Sequence, residues 1–593
     1  MKFQALTCLC LVSYASKSYG YALPAPLVAP LAINPLQGPQ ADNSSCVYGP
    51  NNRQCWASGY SVDADFDQNY PITNGTVVYN LTITNSTCNP DGNGPRPCML
   101  INNQYPGPTI RASWGDRLII NVHNQLQNNG TSIHWHGVRQ LNSTESDGVG
   151  GITECPIAPG DSKTYSFRVT QFGTSWYHSH FSSQYGDGVI GPMIFEGPAS
   201  ANYDEDLGPY MLNEWYYQTA SQINSIAMKL LQTNPPSLPP PADNILINGT
   251  NINHNGAGNY GRVSMQAGKR YRLRLINSAV DNHYHVSLDN HNMTIIASDF
   301  IPINPITVTT LLIAIGQRYD VVIHANQRPG NYWFRASVAQ ECGFDNKQLE
   351  GRSIFTYNNI TFAEPNTTAY TWPRTCDESM RLEPTWYQPV PSDSFIQTIQ
   401  QMDVNLTSVN PPFNGDMVNA WTLGGSPLNI EWDRPTLQYI LDNNSSYPPR
   451  YNVHTTRSRN AWNYWIIQQG PGAPPAAHPI HLHGHDFFVL GRQDNSTFDR
   501  TSSVSLLNFN TPPRRDTATV PSRGWMVIAF PTNNPGAWLM HCHIAWHVAG
   551  GLGSQFIELP GEITVNRDAF DQTCKNWKEY VAKDAVQKED SGL

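Results

Sequence analysis

Charge is scarce in this chain. Only 14% of its 593 residues are Asp, Glu, Lys or Arg, against about 25% in an ordinary soluble domain. The balance is acidic, a formal net charge of -10, and no basic stripe runs along any segment. A nucleic-acid interface needs a basic face for the phosphates, so that class of partner is excluded. Long hydrophobic runs are missing too. Beyond the N-terminus, nothing approaches the ~18 apolar residues of a membrane-spanning helix. Helical periodicity is confined to 221–233 and 566–585, which excludes a coiled coil or a long helical repeat.

What is plentiful is proline (46), glycine (44) and aromatic residues (28 Tyr, 20 Phe, 16 Trp). Short β-branched or aromatic runs alternate with Gly, Pro, Asn and Asp: VVYNLTIT (77–84), RLIINVH (117–123), TYSFRVT (164–170), RYRLRLIN (270–277), RYDVVIH (318–324), NYWFRASV (331–338), YWIIQ (464–468) and GWMVIAF (524–530). A period of 2, with strands about every 10–15 residues, predicts β-sandwiches or barrels. Linker-like stretches at 197–209 and 364–386 divide the chain into three β domains, each long enough for its own core.

The first twenty residues, with one early Lys, a short apolar stretch and a small-residue end, predict a signal peptide. Residues 21–40 are Pro/Ala-rich and predict a pro-segment or N-terminal arm. Fourteen N-x-S/T sequons, from Asn43 to Asn495, agree with a secreted, soluble glycoprotein. Of 11 Cys, Cys8 and Cys10 would leave with the signal peptide. Nine is an odd number for a secreted chain, so one thiol has another task. The remaining eight beside Cys542 allow about 105 connectivities; local spacing favours Cys46–Cys55 and Cys88–Cys98.

The 18 histidines carry most of the information. They cluster as His134-Trp-His136, His178-Ser-His180, His478-Pro-Ile-His481-Leu-His483-Gly-His485 and His541-Cys542-His543-Ile-Ala-Trp-His547. In a strand, residues i and i+2 share a face, so each H-x-H pair presents two imidazoles side by side. His541 and His543 share one face and Cys542 takes the other; His481 and His483 share a face and His478 has the opposite parity. One side thus collects imidazoles alone, and the other collects Cys542, His478 and His547. A Cys with two His is the blue-copper set. Eight imidazoles (134, 136, 178, 180, 481, 483, 541, 543) are too many for one ion and suit about three. Zinc is the bland alternative, but all-His sites for several ions beside a His₂Cys site are not a usual zinc arrangement.

These clusters, within HWHGVRQ (134–140), SDGVGGITECPIAPG (146–160), GTSWYHSHFSSQYGDG (173–188), HPIHLHGHDFFVLGR (478–492) and NPGAWLMHCHIAWHVAGGL (534–552), resemble the four copper signatures of multicopper oxidases, and in particular the laccases of ascomycete fungi. The resemblance runs from about Cys46 to Leu593. It implies an all-β fold of three consecutive cupredoxin-like Greek-key domains, 41–200, 201–375 and 376–593, the last ending in a tail plug, DSGL. It implies four copper ions. Type 1 would be held by His478, Cys542 and His547, and type 2 by His134 and His481. One type 3 ion would take His136, His178 and His543, the other His180, His483 and His541. Leu552, ten residues after Cys542, takes the axial position and offers no ligand atom.

The same resemblance gives Asp147 the place of the acidic residue beside type 2 copper, a proton relay, although Ser-Asp-Gly is also a turn signature. It gives Asp281 the place of the carboxylate that accepts a phenolic proton, again against a turn reading. Trp546 would wall the substrate pocket, and His547, expected to be partly exposed, would be where electrons arrive. His283-Tyr-His285 is expected to be structural or to line the substrate rim, and His485 to support a ligand or fill core. The implied activity is oxidation of phenols and aromatic amines by O₂ in a secreted monomer without a membrane partner, with lignin breakdown as its setting. Ascorbate oxidase, ferroxidase and a copper carrier without oxidase activity are the rivals.

Overall fold

The computed structural model describes residues 46–343, 345–372, 374–410, 417–583, 588 and 590–593. The expected signal peptide and N-terminal arm lie outside the described residues.

Every strand expected above forms: Thr76–Cys88 and Arg117–Gln125 bury one face, while Arg270–Asn277, Arg318–His324, Asn331–Val338 and Trp525–Pro531 are buried on both. The first sandwich pairs two four-stranded sheets. One runs Ile110–Ser113, Ile190–Glu196, Gly173–Ser179, Ile133–Trp135; the other runs Arg96–Ile101, Thr76–Cys88, Arg117–Gln125, Ser162–Arg168. Their inner faces meet in one core: Leu118, Ile120 and Val122 from one sheet, and Ile110, Trp135, Tyr177 and Phe195 from the other. Two further sandwiches follow, each of a six-stranded and a five-stranded sheet, built from strands within Glu205–Tyr357 and Gln400–Glu558. The fold is therefore mostly β, in three cupredoxin-like units.

The two expected helices are Ala220–Leu231 and Arg567–Val581. Thr219 opens the first with a capping box to Gln222, satisfying N–H groups that a helix start leaves free. The second buries Phe570, Cys574 and Trp577. Among the described residues the disulfides are Cys46–Cys55 and Cys88–Cys98, as spacing favoured, with Cys155–Cys574 and Cys342–Cys376. Cys155–Cys574 ties the first sandwich to the last helix across 419 residues. Cys542 is free and buried. No helix is long and apolar enough to cross a membrane among the described residues.

Candidate metal centre

Two strands of the third sandwich, His478–Leu482 and Gly536–Cys542, carry both halves of the site. They run antiparallel, with Ile480 opposite Cys542 and His481 opposite His541. Successive side chains alternate between faces, so Cys542 and His478 point one way while His481 and His541 point the other. His547 does not follow strand parity. It sits on the short helix Ala545–Ala549, and this turn of helix carries its ring back to the thiol. Cys542 Sγ lies 3.8 Å from His478 Nδ1 and 3.6 Å from His547 Nδ1.

On the opposite face, the first sandwich completes an imidazole cluster. His134 and His178 are direct partners across the Ile133–Trp135 and Gly173–Ser179 strands, and His136 and His180 follow just beyond them. Ligand atoms lie within 4.8 Å of one another in the trios His134/His136/His481, His136/His178/His543 and His180/His483/His541, and likewise in His478/Cys542/His547. The strands of the two sandwiches, with the helical turn that carries His547, thus bring together all eleven residues expected to bind metal.

The rings are held from behind. Nδ1 of His134 bonds the Asp147 carbonyl at 2.8 Å, His481 the Asp516 carbonyl at 2.8 Å, and His541 the Cys542 carbonyl at 2.9 Å. His178 uses the Ser179 carbonyl at 3.0 Å, and His483 an Asp147 carboxylate oxygen at 2.9 Å. Their Nε2 atoms, and that of His180, are buried without a protein partner and face the cluster. Orphaned buried nitrogens are costly unless something fills the space between them, and outward Nδ1 bonds are the usual support of metal-binding imidazoles.

Electrostatics agree with that donor set. Burial, reinforced by neighbouring imidazoles, holds His136, His178, His180, His481, His483 and His543 well below the usual histidine range. His541 is pushed down to about 4 and His478 to about 3, mainly by burial. Burial thus favours the neutral form of these rings, the form that binds a metal. Burial pushes the Cys542 thiol up, so an adjacent metal cation is what would hold it as thiolate. The residues therefore fit transition metal on both faces, and the His₂Cys set fits copper.

Asp147 ends the turn Thr144–Ser146, its N–H donating to the Thr144 carbonyl at 3.1 Å, and its carboxylate is buried between His134 and His483. Leu552 is buried in the apolar cluster that contains Cys542; its carbonyl accepts the Cys542 N–H at 3.1 Å and its N–H donates to the His547 carbonyl at 3.0 Å. Trp546 and His547 line a cavity of about 40 Å³ with Met228, Leu231 and Trp421. His547 itself is only 7% exposed: the Trp421 ring covers it at 4.3 Å, correcting the expectation of a partly exposed imidazole. Asp281 does not line this cavity. It is buried beside Glu214, its Oδ1 without a protein partner, and burial, then the Glu214 charge, raises its carboxyl well above the usual range.

His283 is buried in core, His285 stacks on Trp372 and pairs with Glu341, and His485 bonds Glu558 at 2.6 Å. The tail folds inward. Asp590 bonds Ser182 and the Asn224 amide, Trp432 Nε1 donates to the Gly592 carbonyl at 2.9 Å, and Leu593 lines a cavity of about 20 Å³ with His178, His180, His541 and His543. That is room for about one water-sized molecule.

Three supporting residues escaped the sequence reading. Asp516 receives a paired bond from Arg318, at 2.7 and 2.6 Å, and meets His136 Nε2 at 3.2 Å. Glu214 accepts N–H groups from Val280 and Asp281. Trp421 roofs His547 and His478. Glu214 sits within the strand Glu205–Trp215 and Asp516 on the bend between Arg514–Arg515 and Thr517–Val520, with no local motif to mark either.

Multicopper oxidase family models match residues 82–200, 207–359 and 425–562. A laccase of Neurospora crassa is 43% identical over 568 residues, covering 92% of this chain and 89% of that protein. A laccase of Cryphonectria parasitica is 42% identical, covering 95% and 97%. Among solved structures, the laccase from Botrytis aclada superposes with a TM-score of 0.86 at 41% identity, covering 93% of this chain and all of that one. Fet3p, a multicopper oxidase that functions in iron import, gives 0.74 at 26% identity, covering 87% and 98%.

Proposed function

The chain belongs to the multicopper oxidase family, and from that footing we propose that it works as a laccase, oxidising phenols and aromatic amines one electron at a time and reducing O₂ to water. The observation that carries the reading is a single strand end. Cys542 sits with His478 and His547 on one face, while its peptide neighbours His541 and His543 reach the imidazole cluster on the other.

Four copper ions are proposed: one on His478, Cys542 and His547; one on His134 and His481; and a pair on His136, His178, His543 and on His180, His483, His541. Copper, when bound, supplies the one-electron redox couple and the affinity for O₂. The chain supplies the rest. Cys542 links substrate side and oxygen side by one peptide bond in each direction. His547 and Trp546, at the apolar cavity, receive the aromatic donor. Leu552, packed with Cys542, would offer a copper held there no ligand atom. Asp147, whose carbonyl bonds His134 and whose carboxylate bonds His483, holds or passes a proton at the cluster, and Asp281, buried outside the lining of the apolar cavity, takes the phenolic proton through its open Oδ1 once the donor is seated. Asp590–Leu593 plugs the cavity beside the cluster.

The proposed setting is extracellular, as a glycosylated monomer with O₂ and small aromatic molecules as partners and neither membrane nor nucleic acid. Domain boundaries are placed near 200 and 375; both fall between the last strand of one sandwich and the first of the next. The test is copper content and visible spectrum, followed by O₂ uptake with a phenol, ascorbate and ferrous iron. Strong uptake with the phenol is expected. Preference for ascorbate or iron would replace the laccase reading by one of its rivals, and copper without uptake would leave a carrier.

A further inference from the structure

Around the buried carboxylates of Glu214 and Asp281 several polar atoms have no protein partner. Glu214 accepts N–H groups from Val280 at 2.9 Å and Asp281 at 2.7 Å, and bonds the Asn282 amide. Asp281 Oδ1 and the hydroxyls of Tyr185 and Tyr284 are buried and bond no protein group. Buried polar atoms of this kind are where internal water is held when several face one another. Burial, then the charges of Glu214 and Asp281, keeps both hydroxyls protonated far above the usual phenolic range.

Tyr185 borders the imidazole cluster. Its ring is 5.4 Å from that of His178 and 6.3 Å from that of His543, and with them it lines the cavity of about 20 Å³. The next residue, Gly186, packs on the loop that carries Asp281: a Cβ there would meet Val280 Cγ1 at 3.2 Å. The Val280 carbonyl accepts the Ala545 N–H at 2.9 Å, and Ala545 lines the same cavity. The Asp281 loop, Tyr185 and the oxygen-side cavity are thus in continuous contact.

We propose that Tyr185 is an internal proton relay, carrying the proton taken from a phenol at Asp281 to the cavity where O₂ is reduced. This rests on the laccase reading and on the role of Asp281 within it. Each phenol breaks its O–H bond and leaves as a phenoxyl radical, giving one electron and one proton. Four phenols supply the four electrons and four protons that convert one O₂ to two waters, so no other reactant is needed. The electron travels by Cys542. The proton passes from the phenol oxygen to Asp281, through water held between Asp281 and Tyr185, and on to reduced oxygen as the Tyr185 hydroxyl gives up one proton and takes the next. Tyr185 never changes charge. The other ionisable groups around the route are Glu214, Tyr216, Tyr284 and Cys542, and at the cavity His178, His180, His541 and His543.

Tyr185→Phe keeps the ring and removes the hydroxyl. In the copper-loaded enzyme we expect an unchanged visible spectrum and copper content, and turnover on a phenol lower by about 10²-fold, the scale of a lost proton-transfer group, because buried Asp281 can no longer discharge. Turnover on ferrocyanide, which gives an electron without a proton, is expected to stay within about twofold of wild type, since it leaves Asp281 unloaded. A high-resolution crystal structure of the wild-type holoenzyme is expected to hold ordered water within hydrogen-bond reach of both Tyr185 Oη and Asp281 Oδ1. Equal losses on both donors, no loss on either, or no water at that position would overturn the relay. The wild-type structure decides the matter even if the variant fails to fold. A wild-type enzyme that leaves phenols untouched overturns the laccase reading itself; an active one with an indifferent Tyr185→Phe overturns only the relay.

Discussion

The His478–Cys542–His547 trio and the eight-imidazole cluster share two strands yet are built from different amounts of chain. The trio is local: all three residues belong to the third sandwich, within 70 positions of one another. It sits among apolar side chains and under the Trp421 ring. The cluster draws half its rings from the first sandwich and half from the third, and its supports are charged: Asp147 behind His134 and His483, and Asp516, paired with Arg318 of the second sandwich, behind His136 and His481. A site inside one sandwich needs only that sandwich to fold. A site between sandwiches needs their interface, and buried ion pairs hold an interface in one register at the cost of strong sensitivity to loss of one partner.

The largest effect should come from breaking that interface. Asp516→Ala takes the paired carboxylate from buried Arg318 and leaves it only Asp299 at 3.5 Å, a change at the lower end of the ~3–5 kcal/mol that breaking a buried pair costs. Thermal unfolding should show the loss, and metal analysis should show copper depleted from the cluster while the trio keeps its visible band. Equal loss of both would mean that the two halves do not fold independently.

On the trio's side, Asp281→Asn removes a base without touching a ligand. Expected kcat/KM for a phenol falls by about 10²-fold or more, while ferrocyanide is affected little. Burial and the neighbouring Glu214 raise the Asp281 carboxyl, so its ionised fraction, and with it the gap between wild type and variant, grows as pH rises. A gap that is constant with pH would return Asp281 to the part of a turn residue.

The tail is a smaller lever on the cluster alone. Deleting Asp590–Leu593 removes the bonds to Ser182 and Asn224 and opens the cavity beside His180 and His541. Copper retention or O₂ reduction should change, with the visible band untouched. Unaltered copper and kinetics would make the tail a docked end without function.

The smallest change sharpens the trio. Leu552→Met places a thioether where a hydrocarbon sits, at similar volume, so stability should shift by less than about 1.5 kcal/mol. A redox titration should find a lower potential, because sulfur donation favours the oxidised metal. An unchanged or higher potential would remove Leu552 from the axial position.

What could be read from the sequence followed strand parity. The opposite facings of Cys542 and His541, and of His478 and His481, need only a period of 2, and the imidazole and Cys sets were separable before any coordinates. His547 joins Cys542 and His478 as expected, but by a helical turn between Ile544 and Gly550 rather than by strand parity, and its burial is not legible because the covering Trp421 lies 126 residues away. Asp516 and Glu214 were invisible for the same reason. Each acts through partners brought close only by folding, Arg318 in one case and the Val280–Asn282 loop in the other.

The central claim is that one strand end serves two separate metal sites, and Cys542→Ser tests it most directly. Copper content and visible absorption should be measured together on the purified variant. The account expects the blue band to vanish, oxidase turnover to cease and about three of four coppers to remain, since Cys542 faces away from the imidazole cluster. A variant that keeps the band, or that loses the cluster copper along with it, would contradict the account.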